Sequence, residues 1–283
     1  QNVYGVLGVV GTPTAEEAMK IAINESIPFL MPLTGAEFLY DANHLTFTLR
    51  QSYKQEAATM VKYMLAHDIK KVAIVYQNDS FGLTALNAFS KSIAGSGIKL
   101  VTEGVYNRNT LSINYALGEI IKYSPQAVII AGTQKPTVEL IKRAEDNKLE
   151  ALFFNFSFGG YEPIYEEARK KRVNLNKIFI TQVVPPLMTN ENEDTRAFKT
   201  LYAKYYPSSK PNSIAFEGFL AAKTVVSALA KARNSRSDFI KSLSSMQIEL
   251  AGKKLLYAEN DHGGLKDTYL LKLGENGGIL VNE

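Results

Sequence analysis

The stretch Val72-Ala73-Ile74-Val75-Tyr76-Gln77-Asn78-Asp79-Ser80-Phe81-Gly82 decides the fold. Five apolar residues in a row suit a strand buried on both faces, and the polar turn after them opens a helix pattern over 81–94. The same punctuation recurs four times. Residues 6–10 run into Gly11-Thr12-Pro13-Thr14, 27–31 into Thr34-Gly35, 127–131 into Gly132-Thr133, and 152–156 into Ser157-Phe158-Gly159-Gly160. Strands alternating with helices predict right-handed crossovers and an α/β architecture with mostly parallel sheets. Ligands of such sheets collect beyond the carboxyl ends of the strands, so these elbows nominate the site.

Outward from that stretch, apolar residues at three- and four-residue spacing predict helices over 15–24, 53–67, 114–123, 136–147, 195–206, 215–233 and 237–246. Strands are predicted over 98–106 and 178–181. From 253 the rhythm changes to strand-like pieces at 253–256, 268–273 and 279–281, which read as hairpins. Stretches 49–53 and 182–186 are the candidate crossings between two lobes, the second carrying paired prolines.

The elbows carry the chemistry of binding. Glycines and small hydroxyl residues at helix starts present free N–H groups and the positive end of the dipole, a seat for a carboxylate or phosphate. None matches a Walker loop, a G-x-G-x-x-G fingerprint or a G-x-S-x-G nucleophile turn. Thr14, with Glu17 in capping-box spacing, is expected to cap the first helix, and Asp79 or Ser80 the helix from 81. Glu217, among Phe216, Phe219 and Leu220, is expected on a solvated helix edge. Tyr202, Tyr205 and Tyr206 are expected to pack.

At 283 residues the chain is long enough for two modest cores. Hydrophobic content of 46% and charged content of 21% fit a globular protein, and no apolar run is long enough to span a bilayer. The net charge is +4; the group Arg169-Lys170-Lys171-Arg172 reads as a solvated helix end, and nucleic-acid binding is not expected. Without cysteine there are no disulfides or thiol sites. His44, His67 and His262 lack metal-ligand spacing, so neither a metal nor a cofactor is expected.

Read in order, Gly11-Thr12-Pro13-Thr14, Pro32-Leu33-Thr34-Gly35-Ala36, Tyr76-Gln77-Asn78-Asp79-Ser80-Phe81-Gly82, Gln182-Val183-Val184-Pro185 and Phe216-Glu217-Gly218-Phe219 resemble the type I periplasmic binding proteins. Within these they are most similar to the leucine/isoleucine/valine-binding group of transporter receptors, and the resemblance covers essentially the whole chain. It implies a two-lobe fold, each lobe a mostly parallel sheet flanked by helices, with three inter-lobe crossings. Lobe one is expected at 1–50 and 184–253, and lobe two at 51–183 and 254–283. The family carries a further strand-helix-strand-helix segment before the point matching Val3, and its absence from this chain is expected to leave lobe one incomplete.

The resemblance also implies an extracytoplasmic receptor, lipid-anchored in a full-length form, that closes by a hinge on a small carboxylate or amino acid and delivers it to an ABC transporter. It implies a monomer whose partner is a permease or sensor. Carried over residue by residue, the hydroxyls and amides that hold a carboxylate fall at Gly11, Thr12, Thr34 and Gly35. The covering aromatic falls at Phe81, with Thr133 and Gln134 on the next elbow. The acid that holds an ammonium group falls around Ser157 and Phe158, where this sequence has none; Asp79 or Glu217 could supply the charge instead. A carboxylate without an amine therefore gains weight, with Phe81, Phe158 and Tyr76 as apolar walls.

Two other functions stand beside this one. A ligand-sensing domain of a signalling receptor or regulator shares the fold; a transcription regulator would need a helix-turn-helix that these residues do not supply. A hydrolase would use Ser80 or Ser157 with a base in hydrogen-bond reach, yet no histidine falls on an elbow, and His44 is the nearest by context.

Overall fold

The computed structural model describes residues 3–41, 45–188, 191–233 and 235–281. The chain divides into two compact units, Gln1–Ser52 with Val183–Asp267, and Tyr53–Gln182 with Thr268–Glu283. Two of the boundaries fall in the stretches 49–53 and 182–186.

The first unit opens with β1 (Val6–Leu7), α1 (Thr12–Asn24), β2 (Phe29–Leu30) and β3 (Thr46–Phe47). The strands form a parallel sheet in the order β1-β2-β3. β1 is shorter than its apolar run because Gly8 turns at φ 71°, and the run rejoins the sheet only through a bridge from Val10 to Leu33. α1 lays Ala15 and Ala22 on Phe29 and Leu39.

The second unit follows with α2 (Tyr53–Ala66), β4 (Lys71–Gln77), α3 (Ser80–Ile93), β5 (Lys99–Tyr106), α4 (Asn114–Tyr123), β6 (Ala127–Ala131), α5 (Gln134–Asp146), β7 (Leu152–Asn155), α6 (Tyr161–Lys171) and β8 (Ile178–Gln182). The chain then returns to the first unit for α7 (Glu193–Tyr205), α8 (Ser213–Leu229), α9 (Arg236–Ser244), β9 (Gln247–Leu250) and β10 (Lys253–Leu256). It ends in the second with β11 (Tyr269–Gly274) and β12 (Gly277–Leu280).

The second unit's sheet runs β12-β11-β8-β7-β6-β4-β5. Its five strands from β8 to β5 are parallel, and β11 and β12 add an antiparallel hairpin at one edge. Residue parity separates two cores. Ala73, Val75, Val128, Ile130 and Phe153 face α4, α5 and α6, while Val72, Ile74, Ala127, Ile129 and Phe154 face α2 and α3. Helices on both faces are why these strands read as unbroken apolar runs.

Several elements depart from the sequence expectation. α6 is an additional helix: its buried stripe is only Tyr161, Ile164 and Ala168, interleaved with charge, too narrow for the periodicity to register. Residues 254–267, expected in lobe two, lie in the first unit. There β10 pairs with β9 across a turn at Ala251 (φ 51°) and Gly252 (φ 75°), the paired positive φ values that match strand twist. Beyond it the Tyr257 hydroxyl donates to Thr48 O, and the Leu265 N–H to Leu49 O at 2.8 Å. Tyr202 packs on Phe198 as expected and Tyr206 packs on Tyr202 with ring centroids 5.2 Å apart, although Tyr205 and Tyr206 are both largely exposed because α7 ends there.

Candidate functional site

In the first unit the elbow after β1 is built around Gly11. At φ 91° and ψ 145° it occupies a region that favours glycine, and it caps α1 through its backbone carbonyl. Pro13, with φ preset for a helix, lies in the first turn, so α1 starts at Thr12. Thr14 is therefore not the cap but an exposed residue inside that turn. The Thr12 and Thr34 hydroxyls share a 2.7 Å hydrogen bond and are fully buried. Gly35, also buried, follows Thr34. No acid occupies the first turn of α1, so no carboxylate of that turn offsets the positive end of the helix dipole.

Glu217 is not at a solvated edge. It is buried on α8, and its carboxylate lies 3.1 Å from the guanidinium of Arg50, itself only 2% exposed. That pairing commits the charge to the first unit's interior. Sequence reading missed Arg50 because nothing in its local pattern distinguishes a buried arginine from a surface one.

In the second unit β4 neighbours β5 on one side and β6 on the other, so the direction of winding reverses between β4 and β6. Crevices at such a reversal are where doubly wound sheets bind ligands. Asp79 caps α3, accepting from the N–H groups of Phe81 at 3.0 Å and Gly82 at 3.2 Å, and also from the Gln77 side chain. Gly82 is required by close approach: a Cβ there would sit 1.9 Å from Gln77 O. Phe81, expected to cover a ligand, is buried between Tyr53 and Phe158, with ring centroids 5.4 Å and 4.8 Å away.

Across the reversal, Thr133 caps α5 through its backbone and Gln134 begins the helix. Both line a pocket of about 270 Å³ with Asn109, Thr110, Leu111, Lys135 and Pro136. Behind Gly132, burial pushes the Tyr106 phenol above its ordinary range.

Behind the elbow after β7 stands a second residue that sequence reading missed. Glu56 of α2, fully buried, accepts the Ser157 N–H at 2.8 Å, the Ser157 hydroxyl at 2.8 Å and the Thr181 hydroxyl. Asn155 ties this elbow to its neighbour, accepting from Thr137 at 3.1 Å and donating to Phe156 O at 2.8 Å. Glu56 lies 101 positions before Ser157, so only the fold could reveal the pairing. Ser157 thus donates to a carboxylate where a hydrolytic serine would donate to a base poised at solvent. His44 lies outside the described residues.

Among the described residues no helix is long and apolar enough to cross a membrane. The family model described as Periplasmic binding protein matches residues 1–278, and the chain belongs to that family. A structure described as a possible leucine/isoleucine/valine-binding protein from Rhodopirellula baltica is 28% identical, with a TM-score of 0.90 over 99% of this chain and 77% of that one. A branched chain amino acid ABC transporter protein from Thermus thermophilus with bound valine is 16% identical, with a TM-score of 0.87 over 99% and 78%. A solute binding protein from R. palustris in complex with benzoate is 17% identical, with a TM-score of 0.84 over 98% and 76%. The last two are similar in fold alone. A search of the curated proteins found no match.

Proposed function

We propose that this member of the periplasmic binding protein family is an extracytoplasmic receptor that captures a small carboxylate or amino-acid-like solute and hands it to an ABC transporter. The observation that carries the reading is the chemistry of the strand-end elbows. In the first unit, paired hydroxyls of Thr12 and Thr34 stand at a helix N-terminus without an acid, chemistry suited to a carboxylate. In the second, the elbow after β4 sets Phe81 against Phe158 of the elbow after β7, and the elbow after β6 places Thr133 and Gln134 on a pocket, chemistry suited to an apolar body and to a polar end. The R. baltica relative's description and the valine and benzoate held by the two fold neighbours support the same ligand classes. Hinge closure on the ligand is part of this proposal.

The test is a thermal-shift screen of the amino acids and of their amine-free carboxylates, followed by calorimetry on each hit. A ligand that binds only the folded state raises the midpoint as its concentration rises, by about 2.7 kcal/mol of stabilisation at a hundredfold excess over Kd. A panel in which nothing moves the midpoint refutes the reading.

A further inference from the structure

The parallel strands of the second unit start at the end of the sheet opposite the elbows, and there the chain collects lysines. Lys71 opens β4 and Lys99 opens β5, and the two are register partners in adjacent strands. Lys70 precedes the first, and its carbonyl accepts the Lys99 N–H at 2.8 Å. Lys71 shares the parity of Ala73 and Val75, so it lies on the face that α4 covers. α4 runs back along that face, with Ala116 against Gly104 of β5, and its last turn brings Lys122 to the same rim. All four lysines are exposed. Among the described residues the one acid paired with any of them is Asp68, 3.4 Å from Lys70 and itself open to solvent. Stability does not account for this grouping. Lys122 offsets the dipole at the end of α4, but Lys71 and Lys99 stand side by side on neighbouring strands, where like charges repel.

We propose that this rim docks on the surface of an anionic lipid bilayer. The occupant is argued from the kind of charge. A protein partner of fixed shape is held by arginine forks and aromatic anchors in pockets, and lysine is depleted from such interfaces. Four exposed lysines on flexible stems suit a fluid array of phosphate headgroups, whose charge is complementary and whose positions adjust to theirs. Tyr123, 37% exposed with Lys122 5.2 Å from its ring centroid, adds an amphipathic ring of the kind that settles at headgroup level. The elbow that ends β4 stands about 20 Å further along its seven residues, so docking by the rim leaves it open.

The test is co-sedimentation with vesicles of about three parts phosphatidylglycerol to seven of phosphatidylcholine, at about 0.1 M salt. The wild type is expected to pellet with these vesicles, to stay in solution with pure phosphatidylcholine, and to be released at about 1 M salt, where the screening length falls to about 3 Å. Each lysine removed is expected to weaken partitioning about fivefold, so Lys71→Gln/Lys99→Gln/Lys122→Gln should lose about a hundredfold. Lys204→Gln/Lys210→Gln/Lys231→Gln removes the same charge from exposed positions of the first unit and should lose less than about threefold. Circular dichroism shows that both variants fold, and the rim variant should melt no lower than wild type because its lysines repel. Equal losses in the two variants overturn the proposal, since net charge and not the rim would then set binding. A wild type that stays in solution with the anionic vesicles overturns it too. If that protein is nevertheless held by heparin with the same dependence on the three lysines, the rim belongs to an acidic polymer and not to a membrane. No solute enters these assays, so the receptor reading stands or falls separately.

Discussion

Replacing Glu217 with leucine leaves the Arg50 guanidinium buried opposite a hydrocarbon side chain. At 3.1 Å the pair attracts by about 5 kcal/mol at an effective dielectric constant of about 20. Breaking one side of a buried pair is expected to cost about 3–5 kcal/mol, since the abandoned charge keeps its desolvation penalty. With about 2–4 °C lost per kcal/mol in a body of this size, the melting midpoint should fall by about 6–20 °C. Arg50→Met should cost a similar amount by stranding the carboxylate. The double variant Arg50→Met/Glu217→Leu strands nothing and replaces two charged side chains with apolar ones, so it should return to within about 1–2 kcal/mol of wild type. Urea unfolding followed by circular dichroism, arranged as a double-mutant cycle, measures all four states. Single variants that cost under about 1 kcal/mol, or a double variant that costs the sum of the singles, would refute the claim that burial makes these charges interdependent.

Three further substitutions test other parts of the structure. A Cβ at Gly82 meets the Gln77 carbonyl at 1.9 Å, so Gly82→Ala should destabilise by more than about 3 kcal/mol, whereas Gly118→Ala, on an exposed face of α4 with nothing within 4 Å, should stabilise by about 0.5–1 kcal/mol in the same unfolding assay. Glu139 is held below its usual value of 4.5 by hydrogen bonds from Lys171 first and Arg143 second. A depressed folded value makes its contribution present above 4.5 and lost as pH falls through the folded value. The stability gap between wild type and Glu139→Gln, about 1 kcal/mol at neutral pH, should therefore close as the solution is acidified below 4.5, and a gap independent of pH would argue against the pairing.

What the sequence by itself determined was local or periodic. Unbroken apolar runs at 72–76, 127–131 and 152–156 announced strands covered on both faces, because a helix on each side removes any polar alternation. Asp79 announced itself as a cap because a cap's partner N–H groups lie two and three residues along the chain. Gly11 and Thr12 were legible as an elbow for the same reason, although the extra turn of helix that moved the start from 15 to Thr12 depended on Pro13 and the φ of Gly11 together. Tertiary structure alone decided where the charges go. Arg50 meets Glu217 and Glu56 meets Ser157 across separations of more than a hundred residues, and a buried acid on a helix spells the same as a solvated one. The identity of the partner is set by which helices the sheet brings face to face, and the energetic consequence of a charge depends on that partner and on the loss of water around it.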